Sequence, residues 1–299
     1  MSRRALFAPV LATLAGACSP LSLLNSLGPR DGGARRVARD LSYGDDPRQR
    51  FDIYAPSTKN RNLPVVVFFY GGNWASGSKN LYGWAAQALA ARGFVVALPD
   101  YRLVPQVRFP VFIQDAAAAT ARVASVVGQY GGDADRLAVA GHSAGAHLAM
   151  MIALDARYMQ AAGGPGLIRA AAGLAGPYDF LPFDVAASID AFGQAPDPLQ
   201  TQPVTFARRD APPLWLGHGT DDDVVHAEDT TILADRMRAA GGRAEARLYS
   251  GLSHADLIAT FSPLFRKKAP VLADLSAFLH RELGSSVAVS GATPAHKAE

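Results

Sequence analysis

The sequence predicts an α/β fold, a mostly parallel central sheet with helices on both faces. Three observations predict it. Short runs such as Val65-Val66-Val67-Phe68-Phe69 and Phe94-Val95-Val96-Ala97-Leu98 are apolar throughout, as strands buried on both faces are. Helical stretches separate these runs along most of the chain, the alternation that builds parallel sheets. The chain has 299 residues, 49% of them apolar and 18% charged, which suits one large core rather than a disordered polymer.

The elements follow in order. Arg3 and Arg4 precede an apolar run from Ala5 to Ala17 that is too short to cross a bilayer, so residues 1–17 are expected to be a signal peptide. The sole cysteine, Cys18, follows Leu14-Ala15-Gly16-Ala17, a setting that resembles the bacterial lipoprotein lipobox and implies lipidation at Cys18. Ala15-x-Ala17 equally suits ordinary signal peptidase, and a buried N-terminal helix with an inert thiol is the third option. The expected location is outside the cytoplasm, through a lipid anchor in the bacterial envelope, or else periplasmic or secreted. One cysteine excludes an intramolecular disulfide framework and a cysteine-based zinc cluster. The net charge of +3 comes from scattered arginines, without the dense basic block that nucleic-acid binding would need.

Residues 18–37 read as a tether. A domain over 38–283 opens with an antiparallel hairpin, Ala38–Tyr43 and Arg50–Tyr54, around Gly44-Asp45-Asp46-Pro47. Then come the Val65–Phe69 strand, a helix over Tyr82–Arg92 stopped by Gly93, the Phe94–Leu98 strand and a helix over Val111–Tyr130. Ile168–Ala175 is expected to be a strand, and the proline-rich stretch 177–213 an irregular cap or lid. Strands at Pro213–Gly217 and Ala244–Tyr249 enclose a helix over Thr230–Ala240, and an amphipathic helix ends near Leu283. The Ser/Ala/Gly-rich tail 284–299 is expected to be disordered.

Chemistry concentrates in Leu137-Ala138-Val139-Ala140-Gly141-His142-Ser143-Ala144-Gly145. An apolar strand runs into Gly-x-Ser-x-Gly and an Ala-rich helix follows. That predicts a sharp strand-to-helix turn that thrusts Ser143 out of the sheet edge. A hydroxyl needs a base, an orienter for the base and donors for a developing oxyanion. His254 follows the Tyr249 strand and is the candidate base. His280 and His296 lie in the last helix and the tail, and His142 and His147 are too close to Ser143 in sequence. The candidate acid is in the loop Asp221-Asp222-Asp223 after the Trp215 strand, where ligand chemistry collects in such sheets.

The order Ser, Asp, His resembles the α/β-hydrolase arrangement, and Gly219-Thr220-Asp221-Asp222-Asp223-Val224-Val225 resembles its Gly-x-x-Asp-x-Val-Val pattern. That match selects Asp222, with Asp223 the rival. Tyr70-Gly71-Gly72-Asn73-Trp74 resembles the His-Gly-Gly-x-Trp loop of hormone-sensitive-lipase-like carboxylesterases, with Tyr70 where that family has histidine. Pro99-Asp100-Tyr101-Arg102-Leu103-Val104-Pro105 with Asp115 resembles a structural segment of the same esterases. The chain resembles their branch of bacterial esterases and lipoproteins related to feruloyl esterases and kynurenine formamidases.

The resemblance implies an α/β-hydrolase fold and a serine carboxylic-ester hydrolase acting on small or short-acyl esters. It implies Ser143, Asp222 and His254 as the catalytic residues. The oxyanion would be held by the N–H groups of Gly72, Asn73 and Ala144. Trp74, His142, Tyr178 and Phe180 are expected to wall the substrate pocket. No metal and no organic cofactor is called for. The same machinery acting on amides, as an arylformamidase or peptidase, is one alternative. A disabled, surface-anchored binding protein is the other.

Overall fold

The computed structural model describes residues 28–58 and 60–284. The predicted signal peptide, Cys18, the first half of the tether and the tail from 285 lie outside the described residues. Eight strands form one sheet: β1 Ala34–Ser42, β2 Arg50–Pro56, β3 Leu63–Phe69, β4 Val95–Pro99, β5 Gly132–His142, β6 Ile168–Leu174, β7 Leu214–Gly219 and β8 Ala244–Tyr249. Their order across the sheet is β1-β2-β4-β3-β5-β6-β7-β8. The β1–β2 and β2–β4 pairs are antiparallel and every other pair is parallel.

The helices are α1 Lys79–Ala90, α2 Val111–Val126, α3 Ala144–Leu154, α4 Ala156–Ala161, α5 Ala186–Phe192, α6 Glu228–Ala239, α7 His254–Ala259 and α8 Val271–Leu283. They cover both faces of the sheet, so β3 is buried along its whole length. Every residue of α3 is buried as well. Its sequence is apolar all round, which fits a helix enclosed by protein on every side.

Several boundaries differ from expectation. The helix expected over Val111–Tyr130 stops at Val126 and tightens into a 3₁₀ turn, Val127–Tyr130, which Gly131 ends in the left-handed region. The β5 strand begins at Gly132, before its apolar run, because Leu63 of β3 pairs with Gly132. The stretch 177–213 is not irregular throughout: it holds α5 and two 3₁₀ turns, Pro198–Thr201 and Pro203–Phe206.

The register places the functional loops together. Phe69 of β3 lies beside Gly141 of β5, His142 beside Leu174 of β6, and Gly219 of β7 beside Tyr249 of β8. All four of the loops singled out in the sequence therefore leave the sheet from one edge, at the carboxyl ends of parallel strands.

Candidate active site

Ser143 stands between β5 and α3 at φ 55° and ψ −127°, a backbone strain that the turn imposes on a non-glycine residue. Gly141 and Gly145 make the turn possible. A Cβ on Gly141 would fall 2.2 Å from the Gly145 carbonyl oxygen, and one on Gly145 would fall 2.2 Å from that of Phe69. The Ser143 N–H donates to the Leu174 carbonyl at 2.8 Å, which ties the turn to β6.

Asp222 and His254 meet although 32 residues separate them: the His254 Nδ1 lies 2.8 Å from Asp222 Oδ2. The other carboxylate oxygen accepts the N–H groups of Val224 and Val225, both at 2.9 Å. His218 Nε2 lies 3.0 Å from Asp222 Oδ2 and 3.0 Å from the Val225 carbonyl, while its Nδ1 meets the Thr230 hydroxyl at 2.8 Å. Burial pushes the Asp222 carboxyl up, but the hydrogen bonds from His218, His254 and Val225 outweigh it and hold the group well below the ordinary carboxylate range. The side chain is thus an anion buried at 0% exposure, while Asp221 and Asp223 are exposed. Of the three aspartates, the structure joins Asp222 to His254. His218, the residue before Gly219 at the end of β7, grips the carboxylate itself.

His254 opens α7, with Ser253 as N-cap accepting the Asp256 N–H.

The β3 loop bends through three successive positive φ values, 140° at Gly72, 54° at Asn73 and 57° at Trp74. The Gly72 carbonyl is turned back to accept the N–H groups of Ala75 and Ser76 at 3.1 and 2.9 Å. The N–H groups of Gly72 and Asn73 have no such backbone partner, and that of Ala144 opens α3, where a helix leaves its first amides unbonded. Tyr70 occupies the position of the family histidine and is fully buried. Its hydroxyl accepts from Arg48 Nη2 at 2.6 Å, and its ring stacks on Tyr101 with centroids 4.7 Å apart. Tyr101 donates its hydroxyl to the Tyr70 carbonyl at 2.9 Å, and Arg48 also reaches the carbonyls of Tyr101 and Gly77 at 2.8 and 3.0 Å. A guanidinium and two stacked phenols therefore brace the loop. Arg102 is clamped to Asp115, at 2.9 Å (Nε–Oδ2) and 2.7 Å (Nη2–Oδ1), and serves the scaffold.

A cavity of about 540 Å³ opens over Ser143. Asn73, Trp74, Ala144, Phe180, Val185 and Val224 are among its walls. Two expected wall residues are not in it. His142 is buried at 2% exposure, with its ring against Tyr82 and His254. Tyr178 is fully buried, its ring packed where side chains on Gly173 and Gly176 would otherwise stand. His142, the last residue of β5, turns in toward Tyr82, whereas the strained turn that follows exposes Ser143 to the cavity, and Tyr178 turns in between Pro177 and Asp179, which do line the cavity.

The comparisons with known proteins place the chain in a family and a fold. A family model described as BD-FAE matches residues 51–237. The chain is 30% identical over 286 residues to the isoprenylcysteine alpha-carbonyl methylesterase ICME of Arabidopsis thaliana, covering 88% of this chain and 67% of that one. It is 33% identical over 224 residues to esterase LipC of Mycobacterium tuberculosis, covering 67% of this chain and 55% of that one. The chain thus spans about half to two thirds of the length of these relatives. Among solved structures it is similar to esterase B of Lactobacillus rhamnosis, with a TM-score of 0.72, 21% identity, and 85% of this chain and 88% of that one covered. A truncated carbohydrate esterase from gut microbiota gives a TM-score of 0.76 at 20% identity, with 86% of this chain and 100% of that one covered. At those identities the likeness speaks to the α/β-hydrolase fold.

Proposed function

The chain belongs to the BD-FAE family, among carboxylesterases, and on that premise we propose that it hydrolyses small or short-acyl carboxylic esters through an acyl-enzyme at Ser143. The observation that carries this is the Asp222–His254 contact at the carboxyl edge of the sheet beside the strained Ser143. Asp222 orients the imidazole and stabilises its cation, leaving Nε2 to act as base. His254 takes the Ser143 proton as Oγ attacks the acyl carbonyl. The oxyanion that forms faces the N–H groups of Gly72, Asn73 and Ala144, aided by the N-terminal end of α3. Collapse expels the alcohol, protonated by His254. Water then gives its proton to His254 and attacks the acyl carbon, and Ser143 leaves with that proton as the acid departs. The Arabidopsis relative is named a methylesterase, which supports a small leaving alcohol.

Ser143→Ala is expected to abolish p-nitrophenyl acetate hydrolysis with the melting temperature unchanged. Near wild-type activity in that variant would overturn the assignment. Rates on formylkynurenine or a peptide anilide exceeding those on short esters would move it to amide hydrolysis. For location we propose export and a lipid anchor at Cys18, supported by the basic start, the apolar run and the cysteine after Ala17. Cys18→Ala should shift the protein from the membrane to the soluble fraction; an unchanged distribution would remove the anchor.

A further inference from the structure

The ring of His142 does no work in the substrate cavity, yet both of its nitrogens are engaged. Nε2 lies 3.2 Å from the backbone carbonyl oxygen of His254, and Nδ1 lies 2.9 Å from the Tyr82 hydroxyl. A carbonyl only accepts, so Nε2 carries the hydrogen. In the neutral ring Nδ1 is then the acceptor, and Tyr82 donates to it. On the other side the Tyr82 ring lies 6.0 Å from that of Tyr70, which opens the oxyanion loop. Burial, with the nearby charge of His254, pushes His142 down to about 3, so the ring stays neutral wherever the enzyme would work. Each atom in the chain Tyr82 O–H, His142 Nδ1, His142 Nε2–H, His254 carbonyl has one possible donor–acceptor direction.

The members are packed tightly enough to transmit position. A Cβ on Gly71 would fall 2.8 Å from Ser143 Cβ and 3.2 Å from His142 Nδ1. The His142 and His254 rings lie 4.9 Å apart. Tyr82 is 3% exposed and comes from α1, which supplies no wall of the substrate cavity.

We propose that His142 is a positioning residue: with Tyr82 it bridges the oxyanion loop to the backbone of His254 and so sets the base and the oxyanion donors at a fixed separation around Ser143. It touches no substrate. Asp222 fixes the rotation of the His254 ring from one side, and His142 fixes where that residue's backbone stands from the other. Catalysis of this kind is steep in geometry, and small displacements of a base cost large factors in rate.

The proposal rests on the esterase assignment, and the test separates the two. His142→Leu removes both hydrogen bonds, His142→Gln keeps a donor for the His254 carbonyl, and Tyr82→Phe removes a single hydroxyl. The readouts are ester turnover, the rate of covalent labelling by a fluorophosphonate, and melting temperature. The expected result is a fall in kcat and labelling rate of about tenfold or more for His142→Leu, with KM within about twofold. His142→Gln should recover most of that loss, and Tyr82→Phe should lose about threefold to tenfold. Where His142→Leu fails to fold, Tyr82→Phe and the ¹⁵N shifts of His142, expected to report a neutral ring protonated at Nε2, carry the test. Equal kcat and labelling in wild type and His142→Leu would overturn the bridge while leaving the hydrolase intact. So would a glutamine variant no better than leucine at the same melting temperature, or a His142 protonated at Nδ1. Failure of wild type to label at all would overturn the hydrolase and the bridge with it.

Discussion

Two segments close over Ser143, and they are held in opposite ways. The loop from Tyr70 to Gly77 is fastened by directional bonds: Arg48 to Tyr70, Tyr101 and Gly77, and Tyr101 back to the Tyr70 carbonyl. The segment from Pro177 to Phe206, though it has hydrogen bonds of its own, meets the cavity through a cluster of rings. Phe180 stacks on Trp74 at 6.0 Å, and Phe192 sits among Trp74, His147, Phe180 and Phe183 with centroids between 4.7 and 5.8 Å. Its rim leaves Val185 at 57% and Ile189 at 52% exposure. Donors for an oxyanion must sit within tenths of an ångström of their target, which angle-dependent hydrogen bonds can enforce. A wall that sorts acyl and alcohol groups needs shape and apolar area, which aromatic packing supplies with more tolerance.

The largest expected effect tests the rigid side. Arg48→Met leaves the Gly77 and Tyr101 carbonyls without their cation and should cost about 2–3 kcal/mol in stability. It should also lower kcat by about a hundredfold. The loss should be the same for acetate, butyrate and longer p-nitrophenyl esters, because the brace never meets the acyl chain. A chain-length-dependent loss would erase the distinction between the two segments.

Phe180→Ala tests the other side. It should change kcat/KM by about tenfold on butyrate and longer esters and little on acetate, since one apolar group in a pocket discriminates by that order. An equal fall on all esters would show that the cap also sets the oxyanion geometry.

The smallest effect concerns acid. Each side keeps a buried neutral histidine, His142 beneath the loop and His147 beneath the cap, pushed down by burial to about 3 and about 4. Unfolding lets both bind protons near pH 6.5, so the stability they contribute is complete above that pH and is lost as pH falls from 6.5 toward 4 and 3. Burial raises Asp229 to about 6, which acts in the opposite sense, since stability falls as pH rises from 3.8 to 6. With two histidines against one carboxyl, the melting temperature should drop by several degrees between pH 7 and pH 4.5. His147→Gln, which can keep the hydrogen bond that His147 Nε2 makes to the Thr201 carbonyl at 2.8 Å, should flatten part of that slope. An unchanged pH profile in this variant would exclude His147 as a source.

Much of the site is legible in the amino-acid order. Strand runs, a Gly-x-Ser-x-Gly turn and two short motifs are local patterns, and local backbone preference acts over a few residues. Asp222 and His254, named from sequence, lie in hydrogen-bond contact. Side-chain direction is harder to read. His142 and Tyr178 stand next to cavity residues in the chain but face away from the cavity, because the turn at Ser143 and the bend at Tyr178 set direction by packing and the motif does not say which side is wet. His218 gives no signal beyond a histidine before the acid loop, and its grip on Asp222 depends on Thr230 of α6 aiming its ring. The helix α5 is hidden in a proline-rich stretch whose composition suggests irregular chain.

The α/β class and the Gly-x-Ser-x-Gly turn are readable from the amino-acid order alone, since both are written in spacing and periodicity, while the order of serine, acid and histidine is readable through its resemblance to the α/β-hydrolase arrangement. Only the tertiary structure decided what Tyr70 does in place of histidine. Packing also set which aspartate meets His254, and turned His142 toward Tyr82 and the His254 carbonyl rather than into the cavity. Those outcomes depend on groups far apart in sequence meeting at hydrogen-bond distance, Arg48 with Tyr70 and Tyr82 with His142, and that meeting is set by how the sheet edge and its helices pack.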